Sequence, residues 1–287
     1  MSDSWRVWLL AARPKTLPAA VVPVWAGCLM ARQLEHSIHF GLAVVTLVGA
    51  ILIQIATNFF NDVIDAEKGA DTKDRVGPQR AAVSGLLSSR QLYQAAILML
   101  VGAVACGIYL MQARGWPILM IGIPSLYLSY GYTGGPFPLA YRGMGEVFVI
   151  LFFGFIAVMG TIFVQIGDWP WQGWVLGLQI GLLSAVLIAV NNYRDLEEDR
   201  VVDKKTLVVR LGRKPVARLI YGMTLLPSLL VLFYEGQSTW FAMTLCLAFV
   251  FLFLEKKFLR GDGVSSKLLG LSALHLILFV ISQNLSL

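Results

Sequence analysis

Two short stretches of the chain hold most of the chemistry it can offer. The first contains Asn58, Asn61, Asp62, Asp65, Glu67, Asp71 and Asp74, the second Asn191, Asn192, Asp195, Glu197, Glu198, Asp199 and Asp203. Ten of the 17 acidic residues lie in these stretches, too uneven a spread for charges that only solvate loops. With about 3.6 residues per helical turn, Asn58, Asn61, Asp62 and Asp65 share one stripe, and Asn191, Asp195 and Asp199 form another. Carboxylates one turn apart repel each other, and in an apolar setting they need a cation. Hard oxygen donors select Mg²⁺ or Ca²⁺, and Mg²⁺ typically joins one or two carboxylates to water and substrate phosphate. That is what a site gripping a diphosphate requires. The pattern nominates Asn61, Asp62, Asp65, Asp195 and Asp199 as metal ligands, the four aspartates being the catalytic set. Arg75, Arg80, Arg194, Lys204 and Lys205 are available to neutralise phosphate charge, and Asn58, Asp71, Asn191 and Asn192 complete the candidate diphosphate site. Glu67, Asp74, Glu197 and Glu198 read as solvated interface charges, and Asp203 lies beyond the expected helix end.

The elements that must position these groups are membrane helices. The 287 residues are 57% hydrophobic and 14% charged, and the mean hydropathy is +0.71; a water-soluble domain is excluded. Apolar runs long enough to cross a bilayer recur throughout, giving nine expected spans at 16–32, 39–62, 91–112, 116–133, 145–166, 174–193, 215–233, 239–254 and 268–285. The whole chain, 1–287, reads as one membrane-embedded domain with motif loops at 61–90 and 194–214. Arg13, Pro14, Lys15 and Pro18 interrupt the first apolar stretch, so a cleavable signal is not expected. Of the 23 basic residues, 21 fall in alternate segments and only Arg32 and Arg114 on the other side. By the positive-inside rule the N-terminus and both acidic loops are then cytoplasmic. The net charge of +6 is accounted for by lipid headgroups and topology, so no nucleic-acid partner is expected. Asn61 precedes Asp195, and Asp65 precedes Asp199, by the same 134 positions. Four spans lie between the clusters, so both helices run the same way and their acidic ends can face one cavity. The expected fold is all-α, two parallel four-helix units plus one helix, unlike an inverted repeat. Cys28, Cys106 and Cys246 lack metal spacing, and His36, His39 and His275 carry no functional signal.

At these residues the chain resembles the UbiA superfamily of intramembrane prenyltransferases. Within it, four segments are similar to the 1,4-dihydroxy-2-naphthoate prenyltransferase family of menaquinone biosynthesis: RPKTLPA at 13–19, NDVIDAEKGADTKDRVGP at 61–78, YTGGPFPLAYRGMGE at 132–146 and NNYRDLEEDRVVDKKTLVVRLG at 191–212. The first motif departs from the wider superfamily in having Gly69 where an aspartate is frequent, with Asp71 the next acid.

The resemblance implies an Mg²⁺-dependent enzyme of a bacterial inner membrane with its site facing the cytoplasm. It would move a polyprenyl group from polyprenyl diphosphate to 1,4-dihydroxy-2-naphthoate, with loss of the ring carboxylate, giving demethylmenaquinone. Arg13, Lys15, Tyr132, Arg142 and Glu146 are the candidate contacts to the aromatic substrate. A cation would hold its carboxylate, and Tyr132 or Glu146 would hydrogen-bond or deprotonate a ring hydroxyl. For Arg13, Lys15 and Arg142, topology-setting anchors are an equal reading. Two alternatives stay open: another aromatic acceptor such as 4-hydroxybenzoate or homogentisate, and a cation-coupled transporter. A transporter would carry acids within several spans, whereas here they gather at helix ends on one side.

Overall fold

A computed structural model describes residues 4–70, 80–234, 236–259 and 266–285. The chain opens with α1 (Ser4–Ala12), a single 3-10 turn at Pro14–Thr16, and α2 (Pro18–Glu35). The stretch Trp5–Thr16 meets α2 at 51°. Arg13, within that stretch, is held in the left-handed region at φ 53°, and Pro14 and Pro18 each begin a new helical segment. Trp8 of α1 packs edge-on against Phe59, pinning α1 to the next helix.

That helix is α3 (Phe40–Glu67), followed by α4 (Ser89–Arg114) and the shorter α5 (Pro117–Gly131). Ser88 and Gln91 form a reciprocal capping box that satisfies the first amides of α4. One continuous span then runs Gly145–Ile166, made of α6 (Gly145–Val149), a π-helical middle at Ile150–Met159, and α7 (Gly160–Ile166). It is followed by α8 (Trp171–Arg194), two short helices α9 (Leu196–Val201) and α10 (Leu207–Leu211), and then α11 (Arg213–Leu230), α12 (Ser238–Leu259) and α13 (Ser266–Leu285).

The described residues form no strand, and the protein is an all-α membrane bundle. Each of the nine expected spans coincides with a helix. Length and apolarity alone mark seven of them as membrane-crossing, with the bent α1–α2 pair passing as a unit, while α5 has 15 residues. The expected end of the eighth span at 254 falls short, because α12 continues to Leu259 and buries Glu255 against Thr224.

Helices α2 to α5 form one packed set and the 145–166 span, α8, α11 and α12 another; α2 joins them by packing on the 145–166 span and α8, and α13 by packing on α2, α8 and α12. Of the residues in the most apolar stretch of α8, 78% are buried inside the protein, against 11% for α3, which makes α8 the central post. Glycine permits that burial. Gly177 and Gly181 of α8 face Gly154 of the π segment so closely that a Cβ on Gly154 would meet the Gly177 carbonyl and lie 2.8 Å from Gly181 Cα. Small residues at such contacts let two backbones touch where lipid supplies no hydrophobic drive.

Candidate active site

The carboxyl ends of α3 and α8 open onto one cavity of about 790 Å³. Asn58, Asn61 and Asp62 reach it from α3, and Asn191 and Arg194 from α8. Arg13, Lys15, Arg80 and Tyr132 complete the polar mouth. Deeper walls are apolar, with Ile53, Leu126, Phe148, Phe152 and Ile156 among them.

The two acidic motifs are tied to each other through a residue that the sequence did not single out. Tyr141 donates its hydroxyl to Asp65 Oδ1 at 2.7 Å. Its ring lies under the Lys68 ammonium at 4.2 Å and the Lys204 ammonium at 5.6 Å. Lys204 pairs with Asp199 at 3.6 Å. Lys68 also donates to the Thr133 carbonyl at 2.7 Å, and Thr133 donates its hydroxyl to Asn61. The 132–146 turn thereby clamps both motifs. Gly134 makes the approach possible, since a Cβ there would sit 2.9 Å from Ile64 of α3. Burial holds the Lys68 ammonium below its ordinary pKa, with Asp65 opposing the shift and Lys204 adding to it.

The remaining nominated residues divide by partner. Asp62, 1% exposed, accepts the backbone N–H of Ala81 at 3.1 Å and of Ala82 at 3.2 Å, one on each oxygen. Asn58 donates to the Ala12 carbonyl at 2.8 Å and to Thr16 Oγ1 at 3.1 Å, tying α3 to the α1–α2 hinge. Arg194 grips Asp195 with two nitrogens, at 2.5 and 2.8 Å, and Asn191 Oδ1 at 2.7 Å. Asn192, one position on and about 100° around the helix, turns instead to Glu146 and donates to its Oε1 at 3.0 Å. Glu146 is 5% exposed, and its Oε2 has no hydrogen-bond partner among the described residues. Arg142 is exposed and stacks on Phe137, 3.5 Å from the ring centroid. Lys205 pairs with Asp203 at the surface. Asp71 and Arg75 lie outside the described residues.

The donor set fits a magnesium ion. Among the described residues no three His, Cys, Asp or Glu side chains converge as a ready-made cage, but Mg²⁺ asks for only one or two carboxylates when water and phosphate complete its shell. Asp199 is 5% exposed, and its Oδ2 has no hydrogen-bond partner among the described residues. Burial pushes its carboxyl up to about 6, with Lys204 pulling it down and Asp195 raising it further. A buried carboxylate oxygen in that condition suits a cation.

A polar, cation-lined mouth over an apolar chamber in a helical membrane bundle defines an intramembrane site for an amphiphile with an anionic head. The model of the UbiA prenyltransferase family matches residues 20–269, and the chain belongs to that family. It is 35% identical over 242 residues to the 1,4-dihydroxy-2-naphthoate octaprenyltransferase of Mycobacterium leprae, covering 84% of this chain and 82% of that protein. It is 34% identical to the protein of the same name from Escherichia coli, covering 79% and 75%. The fold matches a UbiA homologue from Archaeoglobus fulgidus bound to GPP and Mg²⁺, with a TM-score of 0.74 and 16% identity over 98% of this chain and 99% of that one.

Proposed function

We propose that this prenyltransferase joins a polyprenyl group from polyprenyl diphosphate to 1,4-dihydroxy-2-naphthoate. The allylic C–O bond of the donor breaks, a C–C bond forms at the ring carbon bearing the carboxylate, and CO₂ leaves. The products are inorganic diphosphate and the quinol of demethylmenaquinone. The observation that carries this reading is that the ends of α3 and α8 open onto one apolar chamber, through Asn58, Asn61 and Asp62 of the first and Asn191 and Arg194 of the second. The names of the mycobacterial and enterobacterial relatives supply the acceptor.

In this reading Asn61, Asp65, Asp195 and Asp199 hold Mg²⁺ on the donor diphosphate. Bound there, the metal supplies charge stabilisation to the departing diphosphate. Arg80, Arg194, Lys68 and Lys204 add positive charge around the same head group. Asp62 holds the 80–82 segment in place, so that Arg80 stays at the mouth. Phe148, Phe152 and Ile156 wall the chamber with side chains that admit the prenyl chain and keep water from its electron-deficient carbon. Tyr132, at the mouth, is the group proposed to orient a ring hydroxyl, and Glu146, whose Oε2 has no hydrogen-bond partner among the described residues, is proposed to share that role; Arg13 and Lys15 are the cations for the acceptor carboxylate. The site faces the cytoplasm of a bacterial inner membrane, as the placement of 21 of 23 basic residues supports.

The test is direct. Purified protein with Mg²⁺, a polyprenyl diphosphate and dihydroxynaphthoate should release diphosphate and CO₂ together. An acceptor panel in which 4-hydroxybenzoate or homogentisate is prenylated and dihydroxynaphthoate is not would refute the acceptor assignment.

A further inference from the structure

We infer that Arg194 is a displaceable internal counter-ion, which occupies the metal-binding oxygens of the second motif and must yield them before a divalent cation can bind. The inference rests on the magnesium-diphosphate reading above and deepens it. Arg194 and Asp195 are adjacent in sequence, yet the guanidinium folds back so that Nε meets Asp195 Oδ1 and Nη2 meets both Asp195 Oδ2 and Asn191 Oδ1. Three oxygens from two successive helical turns thus converge on one cation. The side chains are only 6% and 7% exposed, so water does little to weaken the pair.

Those oxygens are hard donors of the kind that a divalent ion takes, and a guanidinium lodged against all three, in a site that water hardly screens, repels a second cation and blocks its approach. A guanidinium that left without replacement would strand a buried carboxylate, which is strongly unfavourable. Metal entry and guanidinium departure are therefore one coupled exchange. Arg194 also lines the cavity, so the released guanidinium has a new anion within reach, the diphosphate of the donor, which it can bind through two parallel N–H bonds. The exchange is nearly balanced when donor is present and uphill when it is absent. Metal and diphosphate should accordingly bind with positive coupling, the free protein holding metal weakly because only a minor population has the guanidinium swung away.

The experiment measures Mn²⁺ binding to the full-length protein in detergent or nanodiscs by electron paramagnetic resonance, with and without inorganic diphosphate. Without diphosphate, Arg194→Gln should bind Mn²⁺ about tenfold or more tightly than the unaltered protein, because the competent population is no longer a minority. Arg194→Lys, which keeps the charge but loses the two-pronged grip, should tighten in the same direction. The gain in Mn²⁺ affinity on adding diphosphate should be large in the unaltered protein and small in Arg194→Gln. Equal affinities in all three proteins would overturn the inference, as would tightening in Arg194→Gln with none in Arg194→Lys, which would reduce the effect to net charge. Failure of the unaltered protein to hold Mn²⁺ even with diphosphate would instead overturn the underlying metal assignment.

Discussion

Replacing Asp62 separates two roles that its place in the first motif leaves combined. Its oxygens each accept one backbone N–H, from Ala81 and Ala82, in a position 1% exposed. A hydrogen bond to a charged group contributes about 1.5–3 kcal/mol, so Asp62→Ala removes about 3–6 kcal/mol of local stabilisation. Asp62→Asn keeps one acceptor, now neutral and worth about 0.5–1.5 kcal/mol, and turns an NH₂ toward the other amide, so it still loses about 2.5–4.5 kcal/mol. At about 1.4 kcal/mol per factor of ten, opening of the 80–82 segment should rise about two to four decades in Asp62→Ala and about two to three in Asp62→Asn. Hydrogen exchange of a peptide spanning Ala81 and Ala82, followed by mass spectrometry in nanodiscs, reads this opening. Donor affinity should fall in parallel, because Arg80 hangs from the same segment. If Asp62→Ala abolishes Mn²⁺ binding while these amides stay fully protected, Asp62 works as a metal ligand and the anchoring argument is wrong.

Further outcomes concern Asp199 and the glycines of the bundle. Asp199 in the metal-free protein has its carboxyl raised from 3.8 to about 6, so a proton competes with the cation below that pH; apparent Mn²⁺ affinity should fall as pH drops through about 6, by up to tenfold per unit. The same group should make the metal-free protein gain stability as pH falls from about 6 toward 3.8, because the folded state binds this proton more tightly. Thermal melts with and without Mn²⁺ across that window check both signs. In the bundle, Gly154→Ala places a methyl against the Gly177 carbonyl and 2.8 Å from Gly181 Cα, an overpacking that costs about 1–3 kcal/mol. Gly107→Ala, where a Cβ meets nothing within 4 Å, should leave the melting temperature unchanged or raise it; equal losses in both would show that helix contact is not what Gly154 serves.

The helices and the motifs were readable because both are periodic. Apolar runs against a lipid solvent announce themselves by length, and the interruption at Arg13, Pro14 and Lys15 coincides with the end of α1 and the 3-10 turn that precedes α2. Asparagines and aspartates at helical spacing indicate a shared face; Asn58, Asn61 and Asp62 of α3 and Asn191 of α8 line one cavity, while Asp65, Asp195 and Asp199 stand beside it, tied to Tyr141, Arg194 and Lys204. Spacing alone does not choose among the partners available to a face. Asn58 shares the stripe with Asp62 and Asp65, yet its amide ties down the N-terminal hinge, a segment 46 residues away from it in sequence. Asn191 and Asn192 look alike as letters, but the turn of the helix sends one to the cavity and the other to Glu146. Tyr141 escaped notice because it lies in a nonperiodic turn, where only tertiary contact shows that Asp65, Lys68 and Lys204 meet at one ring. The expected eighth span stops at 254, whereas α12 continues through Glu255, for which Thr224 supplies a partner.

Helix α3 has 28 residues and is therefore about 42 Å long, while the oily slab of a bilayer is about 30 Å thick. If its first turn meets the far boundary, the last two turns, which carry Asn61 to Glu67, stand clear of the oil among the lipid head groups. A greasy co-substrate can then stay dissolved in the membrane for most of its length, while a water-borne aromatic acid arrives from solution. Each reactant comes from its own phase, and neither has to cross into the other's before they meet.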